Sequence, residues 1–503
     1  MGFDNPAAPE PPAPNLQRVP TPTSSSLPDG IDLERAGAAT LLHALRAGSL
    51  SARALTAAYL ERIDTLDRGG PGLRCVRAIN PAALEEAEAA DRRRAGGDER
   101  PLLGLPVLLK DNVDLVGLPT TAGAVALADS SPPADAFLVG RLRAAGAVVL
   151  GKANLTEMAN FLSDRMPSGY SSVAGQVLNP YDASVTPSGS SSGSAVAVAA
   201  GLAVLAVGTE TNGSILSPAS ACSVVGIKPT LGRVSRSGIL PIAHSQDTAG
   251  PLATDVAGAA LLLAALSGHD PADPASTDPS KRPAGRPEGL AGARLGVVGA
   301  GLQPAAAPAW EAALAAAAAR GATLEELALE PAPSEFSVLT FEFAADLDAY
   351  FASLGPGAPI RSAAALAAWN AAHADVALKY GQRRLTDSLA VARDDPAEQA
   401  RYHDARRADL AASRDQLDRV LAAGHFDALV FPDAGSADLG ARSGYPSLAL
   451  PIGYDDVGRR PVGLTLLGPA WSEELLVDLA ADLEATLQAR RPPSELNPAA
   501  YHA

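Results

Sequence analysis

Short apolar runs that end in polar or glycine-bearing turns, with helical patterns between them, constrain this chain more than any other feature. Residues 101–110 read as a short strand ending in Lys110-Asp111-Asn112, and Ala147 to Gly151 reads as a second, buried strand. Between them, Phe137 to Ala145 carries a helical pattern. Leu202 to Gly208 is a third apolar run of strand length. Runs without polar alternation suit strands covered on both faces, and strand–helix–strand alternation suits a layered sheet. One large α/β core with helical decoration is the expected fold.

The rest of the chain fits around that core. Residues 1–30 hold eight prolines and no periodicity, so a flexible arm is expected there. Leu33, Leu41, Leu42 and Leu45 form one helical stripe, and Leu55, Tyr59, Leu60 and Ile63 form another, with Ser51 placed to cap the second. Leu178 to Gly193 is almost entirely turn formers, after which Ser194 opens a small-residue helix. Proline-rich residues 268–292 read as a surface loop, Leu295 begins a strand, and Trp310 to Arg320 reads as a helix. About four more helices are expected across 335–424. Phe426 to Pro432, Ser447 to Pro451 and Val462 to Leu467 read as closing strands of a domain spanning 31–492, with residues 493–503 as a tail.

Composition removes several function classes. Hydrophobic residues make up 47% of the 503, ample for a large core. The formal net charge of −16 disfavours recognition of nucleic acid through phosphates. The longest apolar stretches, such as Ala195 to Val207, are shorter than a membrane span, so no membrane is expected. No secretory leader pattern opens the chain, and a cytoplasmic location is expected. Cys75 and Cys222 lie 147 positions apart without metal-ligand spacing, so two reduced, half-buried thiols are expected. Of the 40 basic residues only five are lysine: Lys110, Lys152, Lys228, Lys281 and Lys379. Where arginine is the habit, each surviving lysine invites a question.

Three segments could carry chemistry. Gly189-Ser-Ser-Ser-Gly193 matches Gly-x-Ser-x-Gly around Ser191, but coil rather than a buried strand precedes it. No downstream histidine has a strand-end setting; His244, His373, His403 and His425 read as surface or capping residues. The second segment, Gly208-Thr-Glu-Thr-Asn-Gly-Ser214, follows a buried strand. Such a turn can converge backbone N–H groups on an oxyanion beside Ser214. An ordinary strand-to-helix turn capped by Ser214 fits this segment equally well. The third is Lys110 at a strand end, either a salt-bridged charge or an amine that burial turns into a base. Arginine could not take the latter role, because its guanidinium does not deprotonate.

Together these segments resemble the amidase signature family of serine hydrolases. The resemblance runs through Gly104-Leu-Pro-Val-Leu-Leu-Lys110-Asp-Asn, Gly189-Ser-Ser-Ser-Gly-Ser-Ala195, Gly208-Thr-Glu-Thr-Asn-Gly-Ser-Ile215, Val225-Gly-Ile-Lys-Pro-Thr230 and Asp247-Thr-Ala-Gly-Pro251. It covers about residues 31–490. It implies a single large domain with a central mixed β-sheet covered by helices on both faces. It also implies Ser214 as acylated nucleophile, Ser190 as bridging serine after a cis peptide bond, and Lys110 as base. Backbone N–H groups of Thr211, Asn212, Gly213 and Ser214 would form the oxyanion hole, with Ser191 and Asn212 in substrate binding. No cofactor or metal is called for.

Within the family the chain looks most like bacterial peptide amidases, on Ser188-Gly-Ser-Ser-Ser-Gly-Ser194, His244-Ser-Gln-Asp-Thr-Ala-Gly-Pro251 and Gly468-Pro-Ala-Trp-Ser-Glu473. The expected substrate is a C-terminal carboxamide of a peptide or another primary amide. Aryl amides or carbamates, and an ammonia-generating role within a tRNA-dependent amidotransferase, are the alternatives. The expected partner is a small-molecule or peptide amide, with the chain a monomer or homodimer. Departures from the family pattern are Ser188, Ser192 and Asn212 at common glycine positions, Leu216 where arginine often stands, and a short stretch from Pro432 to Gly444.

Overall fold

A computed structural model describes residues 27–28, 30–277, 289–330 and 337–501. Most of the arm expected at 1–30 and the middle of the loop expected at 268–292 lie outside the described residues. The strands are β1 (Val76–Ile79), β2 (Pro106–Lys110), β3 (Val148–Ala153), β4 (Tyr170–Ser171), β5 (Gly175–Gln176), β6 (Leu205–Glu210), β7 (Val225–Lys228), β8 (Thr248–Ala253), β9 (Arg294–Val297), β10 (Thr323–Glu326), β11 (Ala428–Pro432), β12 (Ser447–Tyr454) and β13 (Pro461–Leu467). All except the β4–β5 hairpin join one mixed sheet of 11 strands in the order β1-β3-β2-β6-β8-β7-β12-β13-β11-β9-β10. β3, β2 and β6 run parallel, as do β11, β9 and β10, and the strands between pair antiparallel.

Every residue of β2, β3 and β6 is buried, which the apolar runs required. The two leucine stripes also face the core: Leu41, Leu45, Leu55 and Tyr59 are wholly buried. Ser51 caps the helix Ala52–Arg62, accepting the Ala54 N–H at 3.0 Å. Residues 335–424 are more broken than their pattern suggests: helices cover Ser337–Ser353, Ala363–Ala372, Ala374–Ala377, Arg383–Leu389, Pro396–Leu410 and Gln416–Gly424. One cause is His373, whose non-helical ψ of 41° interrupts an otherwise continuous alanine-rich run. The stretch 268–277 is held against the core, since Asp270 and Asp273 are buried and bonded to Ser235 and Arg236. Beyond residue 493 come two short helices, Pro493–Leu496 and Pro498–Tyr501, with Ser494 bonded to Glu34. Cys75 and Cys222 are fully rather than half buried. Among the described residues no helix is long and apolar enough to cross a membrane.

Candidate active site

Parallel strands bring their carboxyl ends to the same edge of a sheet, where open α/β folds place ligands. β2 and β6 are such neighbours, paired through Leu109 and Val207. Lys110 closes β2, and Glu210 closes β6 just before the turn that carries Ser214. Successive strand residues point to opposite faces. Asp111 accordingly turns away from Lys110 and takes Lys152 at 2.9 Å, with Arg77 on its other oxygen. Lys110 therefore has no carboxylate at ion-pair distance among the described residues.

Wholly buried, the Lys110 amine donates to Ser190 Oγ at 2.7 Å, to Ser191 Oγ at 3.0 Å and to the Thr209 carbonyl at 3.1 Å. Loss of hydration disfavours the ammonium form. Burial lowers the Lys110 pKa from 10.5 to about 7, against an opposing pull from the charges of Glu210 and Asp247. Such an amine is partly neutral at neutral pH, which is the state a base requires.

The serine loop reaches this amine because the exit of β3 pins it. Thr156 N–H donates to the Ser190 carbonyl at 3.1 Å, and Gly193 N–H to the Asn154 carbonyl at 3.0 Å. Gly193 has no room for a side chain: a Cβ there would fall 2.3 Å from Asn154 O and 2.4 Å from Cys75 O. The Gly189–Ser190 peptide bond is cis. Ser188 adopts φ +59°, a left-handed conformation suited to the glycine common at this position. Ser191 N–H donates to the Ser214 carbonyl at 3.1 Å, tying the two serine segments together. The Ser191 hydroxyl is spent internally, donating to Thr209 O and accepting from Thr209 N–H and Lys110. With that hydroxyl enclosed and no strand before it, a nucleophile elbow at Ser191 is excluded.

The turn after β6 settles the question of capping. The helix Leu216–Ala221 draws no cap from Ser214; instead Glu210 Oε2 accepts the Ile215 N–H at 2.6 Å and the Leu216 N–H at 3.0 Å. Gly213 stands at φ +79° within this turn, which a side chain would oppose. Thr211 Oγ1 donates to Asp247 at 2.5 Å, and Asn212 turns its amide nitrogen to Asp438 at 2.9 Å. A cavity of about 340 Å³ opens beside Thr209 and Thr211, walled by Asn112, Leu240, Ile242 and Tyr350. His244 and Asp346 stand on its exposed side, paired at 3.0 Å. Of the residues expected to act, Thr211 lines this cavity, whereas Lys110, Ser190, Ser191, Asn212, Gly213 and Ser214 do not.

These motifs and this fold have counterparts among known proteins. A family model described as Amidase matches residues 54–441. The chain belongs to the amidase signature family. A probable amidase of Arabidopsis thaliana is 37% identical over 88% of each chain. The crystal structure of a peptide amidase from Stenotrophomonas maltophilia superposes with a TM-score of 0.83 at 44% identity, covering 91% of this chain and 98% of that one. A glutamyl-tRNA(Gln) amidotransferase component from Deinococcus radiodurans is 34% identical over 89% of this chain and 96% of its own length. The present amidase is thus a hydrolase of C–N bonds built on the amidase signature fold.

Glu210, Thr209 and Asp247 were missed in the sequence as contributors to this amidase's site, because each resembles an ordinary turn residue. Buried Lys152 and Lys228 carried the same signal as Lys110: a lysine kept where arginine is usual.

Proposed function

We propose that this amidase releases ammonia from primary carboxamides, foremost the C-terminal carboxamide of peptides, through an acyl-enzyme on Ser214. The observation that carries the reading is the buried Lys110 amine, 2.7 Å from Ser190 Oγ and, among the described residues, without a counter-ion at contact distance. Neutral Lys110 takes the Ser190 hydroxyl proton as Ser190 takes the proton of Ser214, whose Oγ attacks the amide carbon. Negative charge passes to the carbonyl oxygen, which the N–H groups of Thr211, Asn212 and Ser214 receive, while Gly213 directs its N–H to Glu210. Collapse expels the amine, which collects the relayed proton and leaves as ammonia. Water then attacks the ester, the relay takes its proton, and the carboxylic acid departs. Ser191 and Asn212 act here as positioning residues, the former on Lys110 and the latter against Asp438.

The likeness to a peptide amidase over 98% of its chain supports the substrate assignment. A second reading rests on the amidotransferase relatives: a component that makes ammonia for a tRNA-bound acceptor. A net charge of −16 opposes that role. The isolated chain should be assayed by liquid chromatography against peptide amides, acyl anilides and carbamates. Ammonia from the peptide amides supports the proposal and removes the need for a partner. Release of aniline alone moves the substrate to aryl amides, and no turnover of any carboxamide sinks the proposal.

A further inference from the structure

β6 ends in a carboxylate, Glu210, that takes no part in the proton relay above. Glu210 is 1% exposed, and its Oε2 gathers the N–H groups of Ile215 and Leu216, with the N–H of Gly213 also directed to the carboxylate. One carboxylate oxygen thereby closes a loop from the end of the central strand to the start of the next helix. Thr211 to Ser214 form the arc of that loop, so their positions follow from where Glu210 is held. Its second oxygen, Oε1, has no hydrogen-bond partner. That orphan bears on the protonation state. A protonated carboxyl would bury a hydroxyl with nothing to receive it, whereas an ionised oxygen needs no acceptor. Burial pushes the Glu210 pKa up, while the charge of buried Lys228 on β7 and the N–H groups of Leu216, Ile215 and Gly213 pull against that rise; the carboxylate in turn acts on Lys110 of β2.

We propose that Glu210 is a positioning residue for amide hydrolysis, its ionised carboxylate both setting the Ser214 turn and holding the Lys110 base electrostatically. The inference rests on the reading of Ser214 as nucleophile and Lys110 as base. Two roles follow from one group. Through Oε2 it fixes where the nucleophile and the oxyanion donors stand, which affects the rate at saturation. Through its charge it opposes the effect of burial on Lys110, so the amine does not fall far below neutral pH in basicity. Asp247, in the loop before β8, is the other carboxylate acting on Lys110, and Glu473 is the other carboxylate acting on Lys228.

The test uses full-length Glu210→Gln and Glu210→Asp, with competent sites counted by a serine-directed fluorophosphonate. For Glu210→Gln, kcat per site should fall about 10- to 100-fold with KM within about threefold. The acid limb of kcat/KM should move down by about half a pH unit or more, because a negative charge facing Lys110 is gone. Glu210→Asp keeps the charge on a shorter arm, so its rate should fall while its acid limb stays with the wild type. Superposition of the Glu210→Gln limb on that of the wild type overturns the electrostatic role and leaves Glu210 a cap. The pH dependence of fluorophosphonate labelling gives the same comparison without any amide, so an error in the substrate assignment does not blur it. If Glu210→Gln does not fold, Glu210→Asp decides: wild-type labelling rates overturn the positioning role, and slowed labelling with an unmoved limb supports it.

Discussion

Replacing Lys110 with methionine should abolish turnover and change how stability depends on pH. In the folded protein the amine has a pKa of about 7, against 10.5 in water, a gap of 3.5 pH units. That gap corresponds to about 5 kcal/mol of stability withheld from the folded state below pH 7. The sign follows from proton counting: between pH 7 and 10.5 the unfolded chain binds a proton at this site that the folded chain does not. Wild-type stability therefore gains through this residue as pH rises, and the penalty vanishes above 10.5. Methionine fills a similar volume and has no proton to bind. It also forfeits the three hydrogen bonds to Ser190, Ser191 and Thr209, each worth about 1 kcal/mol net. The difference at a single pH mixes these effects, whereas its slope isolates the amine. Urea unfolding followed by tryptophan fluorescence at pH 7, 8, 9 and 10 should show the unfolding constant of the methionine variant, relative to that of the wild type, rising about tenfold per pH unit. A difference that stays flat across that range would refute a neutral, buried Lys110, and with it the base assignment.

Three further outcomes are expected. Ser214→Ala should lower kcat by a factor on the order of 10⁴ or more, and Lys110→Arg nearly as much, since guanidinium keeps the charge but cannot accept a proton; a Lys110→Arg enzyme with wild-type rate at every pH would contradict the mechanism. Gly193→Ala should cost about 3 kcal/mol, because its Cβ meets two backbone carbonyls that cannot move separately; a thermal melt within 2 °C of wild type, on the order of the change expected for a surface substitution, would contradict the packing. The bond to Asp346 is the main reason the His244 pKa is raised, helped by the charge of Glu342. That contact should stabilise the fold most below the ordinary histidine range and fade as pH rises through the raised value. Melting temperatures of wild type and Asp346→Asn should therefore converge between pH 6 and 9.

Fold and site were legible to different depths. The strands β2, β3, β6, β11, β12 and β13 announced themselves because burial along all or most of each strand leaves an apolar run. β10 did not: Thr323-Leu-Glu-Glu326 is largely exposed at the sheet edge and is a strand only through its pairing with β9. The leucine stripes named the buried faces of two helices, but nothing in an alanine-rich run marks a break such as His373. Lys110 stood out because lysine is scarce, and Ser190 and Ser214 because the motif spacing is specific. Glu210 stayed hidden since a glutamate in a glycine-bearing turn reads as a solvated charge; only the folded turn reveals that its oxygen replaces a serine cap. Ser191 and Asn212 were read toward the substrate; in the fold the Ser191 hydroxyl is engaged by Thr209 and Lys110, and the Asn212 amide nitrogen by Asp438.

The strand order also bears on how the chain is made. Strands from residues 76–253 fill one side of the sheet, strands from 294–467 fill the other, and among the described residues the pairing of β7 with β12 is the only ladder between them. Lys110, Ser190 and Ser214 all belong to the first group. A ribosome thus delivers every reacting side chain long before β12 emerges to cover β7. Until then that half carries an apolar strand with a bare edge, an invitation to pair with another nascent copy. Nonsense truncations before residue 447 should accordingly accumulate as aggregates despite carrying a complete set of reacting groups.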